Sequence, residues 1–185
     1  MKKLIDNIEK YLPVNAQEQN DKIEILKWLK GNEECLTRKN QKAHLTTSAW
    51  VVNPERTKVI MAYHKIYDSW AWLGGHADGE SDLLKVALKE AKEEAGIKNV
   101  KAVSEDIFSL EILAVAGHEK KGQWIPSHVH LNVTYLLEAD ENQALVHCEE
   151  ENSDVKWLTF EEVQDFSSEP WMVNHIYKKL IEKSK

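Results

Sequence analysis

Residues 74–97 read GGHADGESDLLKVALKEAKEEAGI. Two glycines and a polar loop lead into a helical stretch. Ser81 or Asp82 suits the N-cap, and Gly96 suits the C′ position of a helix that must stop. The spacing predicts a helix of about four turns between them. On a wheel at roughly 100° per residue, Leu84, Ala87, Leu88, Ala91 and Ala95 form an apolar sector. Lys85, Lys89 and Lys92 fall in a second sector, and Glu90, Glu93 and Glu94 in a third. A helix using charge for its own stability would interleave the signs, with Glu before Lys at i,i+4. Here Glu90 faces Glu93 and Glu94. Each exposed like-charge pair costs about 0.2–0.5 kcal/mol. A hard divalent cation with oxygen ligands, Mg²⁺ or Mn²⁺, would offset that repulsion. A plain solvated acidic face is the other reading of such a helix.

The segment resembles the Nudix box, the signature of the Nudix hydrolases. Aligned from its C-terminal end, the chain supplies Lys89 for the usual arginine, then Glu90, Ala91, Glu93, Glu94, Gly96 and Ile97. Gly75 matches the opening glycine. Two departures stand out. Lys89 weakens any bidentate pairing the arginine would make. The isolated glutamate of the pattern falls on Ser81, with Glu80 one residue earlier; a loop shortened by one residue gives Glu80 that job.

The resemblance implies an α/β fold, an α/β/α sandwich around a mixed sheet. It covers the element order from about His44 to Phe166, and only the box is specific in sequence. It also implies a hydrolase that splits a nucleoside diphosphate linked to another moiety, with Mg²⁺ or Mn²⁺ as cofactor. Such an ion neutralises phosphate oxygens and lowers the pKa of the attacking water. The implied catalytic and metal residues are Glu90, Glu93 and Glu94, with Glu80 and the Gly75 carbonyl as further metal ligands. The base is one of the box glutamates or an acid elsewhere, and Glu149, Glu150 and Glu151 sit in a loop that could reach the site. His76 lies inside the box loop on the implied substrate side. Trp72 and Trp124 either clamp a base or sugar or pack in the core. Lys65 is a candidate phosphate contact, as are Arg38 and Arg56. His128 and His130 share a strand face. They could bind a transition metal together, with no third ligand visible in the sequence, or face a phosphate. His44, like Lys65, is open between a phosphate contact and an ordinary surface group.

The rest of the chain fits this frame. Of its 185 residues, 42% are hydrophobic and 30% charged, the composition of an ordinary globular protein. A net charge of −7 argues against broad nucleic-acid binding by a basic surface. No apolar run reaches the roughly 20 residues that span a membrane. The first residues, MKKLIDNIEKYL, lack the long apolar stretch of a signal peptide, which points to a cytoplasmic protein. Cys35 and Cys148 make no disulfide framework.

Helical spacing over Lys2–Leu12 and Ala16–Lys30, closed by Gly31 and Asn32, predicts an N-terminal extension over 1–42. It would pack on a main domain over 43–185 or on a second copy in a homodimer. In the second helix Ile23, Leu26 and either Ile25 or Leu29 are expected to face inward. Strands are expected over His44–Val52, Thr57–Tyr63, Trp70–Leu73, Val100–Val103, Ile107–Ala116, His128–Ala139 and Val155–Leu158. Residues 117–126 read as a polar loop. Thr159 with Glu162 forms a capping box, and a terminal helix follows from Pro170 to about Lys183.

Two other functions compete. A non-catalytic binding or regulatory module of the same fold would accommodate Lys89 and the displaced Glu80. An isoprenyl diphosphate isomerase shares the fold, but its cysteine motif is absent around Cys35 and Cys148.

Overall fold

The computed structural model describes residues 1–31, 33–120 and 122–185, and of Glu33 and Lys120 only the backbone. Asn32, the expected helix stop, and Lys121 in the 117–126 loop lie outside these residues. The chain divides into two compact units, each assembled from three stretches of sequence. The first comprises Met1–Thr47, Gly75–Val86 and Asp106–Thr134. The second comprises Ser48–Gly74, Ala87–Glu105 and Tyr135–Lys185. Strands β1 (Ala43–Val52), β4 (Leu73–His76) and β9 (His128–Ala139) and helix α3 (Leu83–Ala95) each contribute residues to both.

In the first unit, α1 (Lys2–Lys10) and α2 (Ala16–Gly31) precede β1, and α2 packs on β6 (Ser109–Val115). Strand β6 pairs antiparallel with β9 from Ser109↔Thr134 to Val115↔His128. Leu4, Ile8, Ile25 and Leu29 are the buried apolar residues of the two helices, whereas Ile23 is exposed, contrary to expectation. The 117–126 segment is not a loop: β7 (His118–Lys120) and β8 (Gln123–Ile125) pair as a hairpin. Gly122, with φ +75°, supplies the turn conformation that L side chains avoid.

The alternation of β9 does not separate core from solvent. Leu131 and Val133 are buried on one face, and so are Asn132 and Thr134 on the other. The polar face is satisfied internally. Thr134 Oγ1 and Asn132 Nδ2 donate to Glu111 Oε2 at 2.9 and 3.0 Å, and Thr46 Oγ1 donates to Asn132 Oδ1 at 3.0 Å. Ser109 Oγ joins Glu111 to Glu18, donating to Glu18 Oε1 at 2.7 Å. Glu18 also accepts from Tyr11 Oη at 2.6 Å and from the Val14 N–H at 2.9 Å. Both carboxylates are fully buried, so α2 carries a polar anchor that its sequence does not advertise.

In the second unit, β2 (Lys58–His64) lies between the end of β1 and β10 (Asn152–Thr159), both antiparallel to it. The expected strand at 70–73 is two: β3 (Ser69–Ala71), paired with β2, and β4, of which Leu73 and Gly74 belong to this unit. Strand β5 (Val100–Ala102) pairs with the last residues of β9. Trp50, fully buried, stacks on Tyr177 at 5.9 Å and donates from Nε1 to Ser184 Oγ at 3.0 Å. The capping box closes as expected: the Glu162 N–H bonds Thr159 Oγ1 at 3.2 Å, and the Thr159 N–H bonds Glu162 Oε2 at 2.7 Å. Helix α4 (Glu162–Phe166) follows. The terminal helix runs as α5 (Pro170–Met172), a π-helical stretch (Val173–Tyr177) and α6 (Lys178–Ser184).

Helix α3 begins where Asp82 caps it, Oδ1 accepting the Lys85 N–H at 3.2 Å. It stops at Gly96, whose φ is +65°. The Val146 N–H bonds the Ala95 carbonyl at 2.9 Å, which brings residue 146 against the glycine. A Cβ on Gly96 would lie 2.8 Å from both the Cβ and the carbonyl oxygen of Val146. Gly96→Ala is therefore expected to destabilise the chain by about 1–2 kcal/mol from backbone conformation alone, with overlap adding to it. A urea titration checks this, and an unchanged midpoint would refute the close approach.

Candidate active site

The wheel is rotated from the expected setting. Leu83, Val86, Ala87, Ala91 and Ala95 are the buried apolar residues of α3, with Leu84 and Leu88 only half-buried. One consequence is chemical: Glu94 falls in the buried stripe, 5% exposed. Its Oε2 accepts the Gly74 N–H at 2.7 Å and its Oε1 accepts Asn152 Nδ2 at 3.2 Å. Each oxygen thus keeps a lone pair. Burial raises the Glu94 pKa to about 7, against the pull of the two hydrogen bonds, and the charges of Glu90 and Glu151 add to the rise. Burial also raises the Glu90 pKa, opposed by Lys89 and assisted by Glu93 and Glu151. Glu90, Glu94 and Glu151 therefore share one field.

The three box glutamates are not equivalent. Lys89 Nζ stands 2.8 Å from Glu93 Oε2 and 3.2 Å from Glu90 Oε1. The Glu93 side chain is 56% exposed and that of Glu90 16%. Part of the repulsion expected along this helix is relieved by the helix's own lysine, so the sequence argument for a cation is weaker for Glu93 than for its neighbours. Oxygen donors on Glu90, Glu94 and Glu151 match a hard cation such as Mg²⁺ or Mn²⁺.

The other expected site residues are placed as follows. Glu80 holds Lys85 Nζ at 2.8 Å and the Asp82 N–H at 3.0 Å, and Lys85 foremost pulls its pKa down to about 2. Gly75 is part of β4 and half-buried. The half-buried Trp72 meets Tyr177 edge-on at 5.7 Å. Trp124 is 71% exposed on β8. Lys65 donates from Nζ to the Glu149 carbonyl, and its N–H donates to the Glu151 carbonyl at 3.1 Å, so it braces the loop that carries Glu151. Arg38 is taken by Asp78 in a two-pronged pair at 2.9 and 2.6 Å, and Arg56 lies 3.6 Å from Glu138.

Within the first unit, His76 and His130 meet edge-on at 5.0 Å between ring centroids, and His44 lies 4.9–5.1 Å from His76, His128 and His130. Sequence reasoning found the pair on β9 and left out its partners on β1 and β4, which only pairing of distant strands brings together. Burial and the neighbouring imidazoles push the His130 pKa down to about 2, and burial lowers that of His44.

A NUDIX domain model matches residues 42–182. The chain belongs to the NUDIX domain family. Its class is that of the Nudix-type pyrophosphohydrolases, and its α/β fold with a mixed sheet is the family's fold. Among solved structures it resembles the dihydroneopterin triphosphate pyrophosphohydrolase of E. coli, at 13% identity and TM-score 0.55, over 75% of this chain and 94% of that one. It also resembles a C. elegans Ap4A hydrolase at 19% identity and TM-score 0.53, over 75% and 93%. A third is the NUDIX domain of Shewanella oneidensis NrtR in complex with ADP ribose, at 16% and 0.51, over 85% and 94%. No curated protein sequence matches the chain. Among the described residues, no helix is long and apolar enough to cross a membrane.

Glu94 has a consequence for stability. Its carboxyl holds a proton more tightly when folded than the ordinary value of 4.5, so folded protein binds more protons between pH 4.5 and about 7. Its contribution to stability is complete below pH 4.5 and is lost as pH rises through 7. At about 1.4 kcal/mol per unit the loss is about 3 kcal/mol. In metal-free buffer, Glu94→Gln is expected to flatten the fall in stability over this window and to be the more stable protein at pH 8. Thermal melts of both proteins from pH 4.5 to 8 check this, and parallel curves would refute it.

Proposed function

We propose that the chain hydrolyses the diphosphate linkage of a nucleoside diphosphate joined to another moiety, with Mg²⁺ or Mn²⁺ as cofactor. Family membership supports the reaction class. The observation that carries the reading is Glu94: a carboxylate sunk to 5% exposure, held by one backbone and one side-chain donor, with Glu90 and Glu151 close enough to shift its pKa. Burying such a group costs several kcal/mol. A fold keeps it where it has a use.

Glu90, Glu94 and Glu151 would hold the cation. When bound, it supplies charge neutralisation for the phosphates and a more acidic water. The remaining work belongs to the chain. The Gly74 N–H and Asn152 fix the Glu94 carboxylate, so that its free lone pairs are presented in one orientation. Lys65, anchored to the Glu149 carbonyl, sets the loop of Glu151. Glu93 would join the ligand set only by leaving Lys89.

A second reading, a Nudix-fold module that binds its ligand without turning it over, is favoured by one observation. Among the described residues the acidic side chains do not form a group of three with donor atoms closed on one point, whereas three histidines do. The test separates the two. A panel of nucleoside diphosphate derivatives with Mg²⁺ should release a monophosphate product, and chelation should abolish it. Glu94→Gln should lower kcat by about 10²-fold or more, with Glu93→Gln the milder change. Tight ligand binding by calorimetry with no turnover in the parent would favour the module, and neither binding nor turnover would overturn both.

A further inference from the structure

We infer that His44, His76 and His130 form a binding centre for a first-row transition dication such as Zn²⁺, built from residues other than Glu90, Glu94 and Glu151. The three residues come from β1, β4 and β9. One ring nitrogen from each lies within 4.8 Å of the others. Tetrahedral coordination at Zn–N distances of about 2.0–2.1 Å requires neighbouring nitrogens about 3.3–3.4 Å apart. Closure is then a matter of small side-chain rotations rather than backbone movement.

Three features point to a metal rather than to packing. First, His44 Nε2 is buried and, among the described residues, without a hydrogen-bond partner, on a residue only 4% exposed. A buried polar nitrogen left unpaired is costly, and a cation gives its lone pair a use. Second, the outer nitrogens of His44 and of the neighbouring His128 are already engaged. His44 Nδ1 lies 3.0 Å from the Asn40 carbonyl and His128 Nδ1 2.9 Å from the Pro126 carbonyl. A carbonyl only accepts, so each Nδ1 carries the proton, which leaves the His44 Nε2 lone pair free and turns that of His128 Nε2 toward His130. Metal-binding histidines are oriented in this way. Third, His128 Nε2 stands 3.2 Å from His130 Nε2, so a fourth imidazole borders the cluster. Imidazole nitrogens select Zn²⁺, Cu²⁺ or Ni²⁺ over Mg²⁺. An anion is a poor match, because Arg38, the cation acting on His44, is already paired bidentately with Asp78.

Calorimetry of the full-length, chelator-stripped chain with Zn²⁺, in excess Mg²⁺, tests this. The centre predicts one equivalent of Zn²⁺ bound. Affinity should fall at least about tenfold in His44→Ala and in His130→Gln, and stay unchanged in His175→Ala and Glu94→Gln. Circular dichroism of each variant reports folding. Co²⁺ absorption supplies a direct check, because nitrogen-ligated, four-coordinate Co²⁺ should colour the parent and not the two cluster variants. No stoichiometric uptake by the parent overturns the centre. So does uptake equal in all the proteins, or uptake lost in Glu94→Gln and kept in the cluster variants, which would assign the metal to carboxylates.

Discussion

A single buried carboxylate sets the terms for the second unit. Glu94 brings the last turn of α3, the backbone at Gly74 and the first residue of β10 to one point through two hydrogen bonds. Removing an ionised group from water opposes folding, and two donors recover only part of that cost. The fold must therefore hold Asn152, itself fully buried, and the Gly74 N–H in place by other means. It does so through the β2–β10 ladder and the Asn152 N–H bond to the Cys148 carbonyl. A site of this kind is destabilised as built, and a bound cation would stabilise it.

The charges of α3 divide into two groups with different surroundings. Lys89 and Glu93 face solvent and neutralise each other, as an ordinary surface helix would. Glu90 and Glu94 are more buried and feel the charge of Glu151, and among the described residues the cation that acts on them is the share Glu90 takes of Lys89. Lysine in place of the usual arginine suits this division. A point charge on a flexible stem serves two glutamates here, at 2.8 and 3.2 Å.

The features legible in the sequence are those set by near neighbours. Asp82 and Gly96 bound α3, and Thr159 with Glu162 opens α4, because caps act over three or four residues. The rotation of α3 was not legible: Leu83, Leu84, Val86 and Leu88 are all apolar, so the wheel offers two inward faces, and only tertiary packing chooses. The β7–β8 hairpin was missed because GHEKKGQWIP has no alternation and its signal is one glycine at positive φ. The partners of His128 and His130 lie 84 and 54 residues from His128 and His130 along the chain, at His44 and His76. No spacing rule joins them.

Glu18 carries a final consequence. An acidic residue on an N-terminal helix reads as solvent-facing, and the family match begins only at residue 42. Yet Glu18 takes bonds from Tyr11, Val14 and Ser109 in the interior of the first unit. A shortened chain beginning at Lys42 would keep every residue of the family match and still leave Ser109 and Glu111 stripped of their lid. The helices ahead of the match are thus a plug for the polar face of β6 and β9, and trimming by homology would cut through a folded interior.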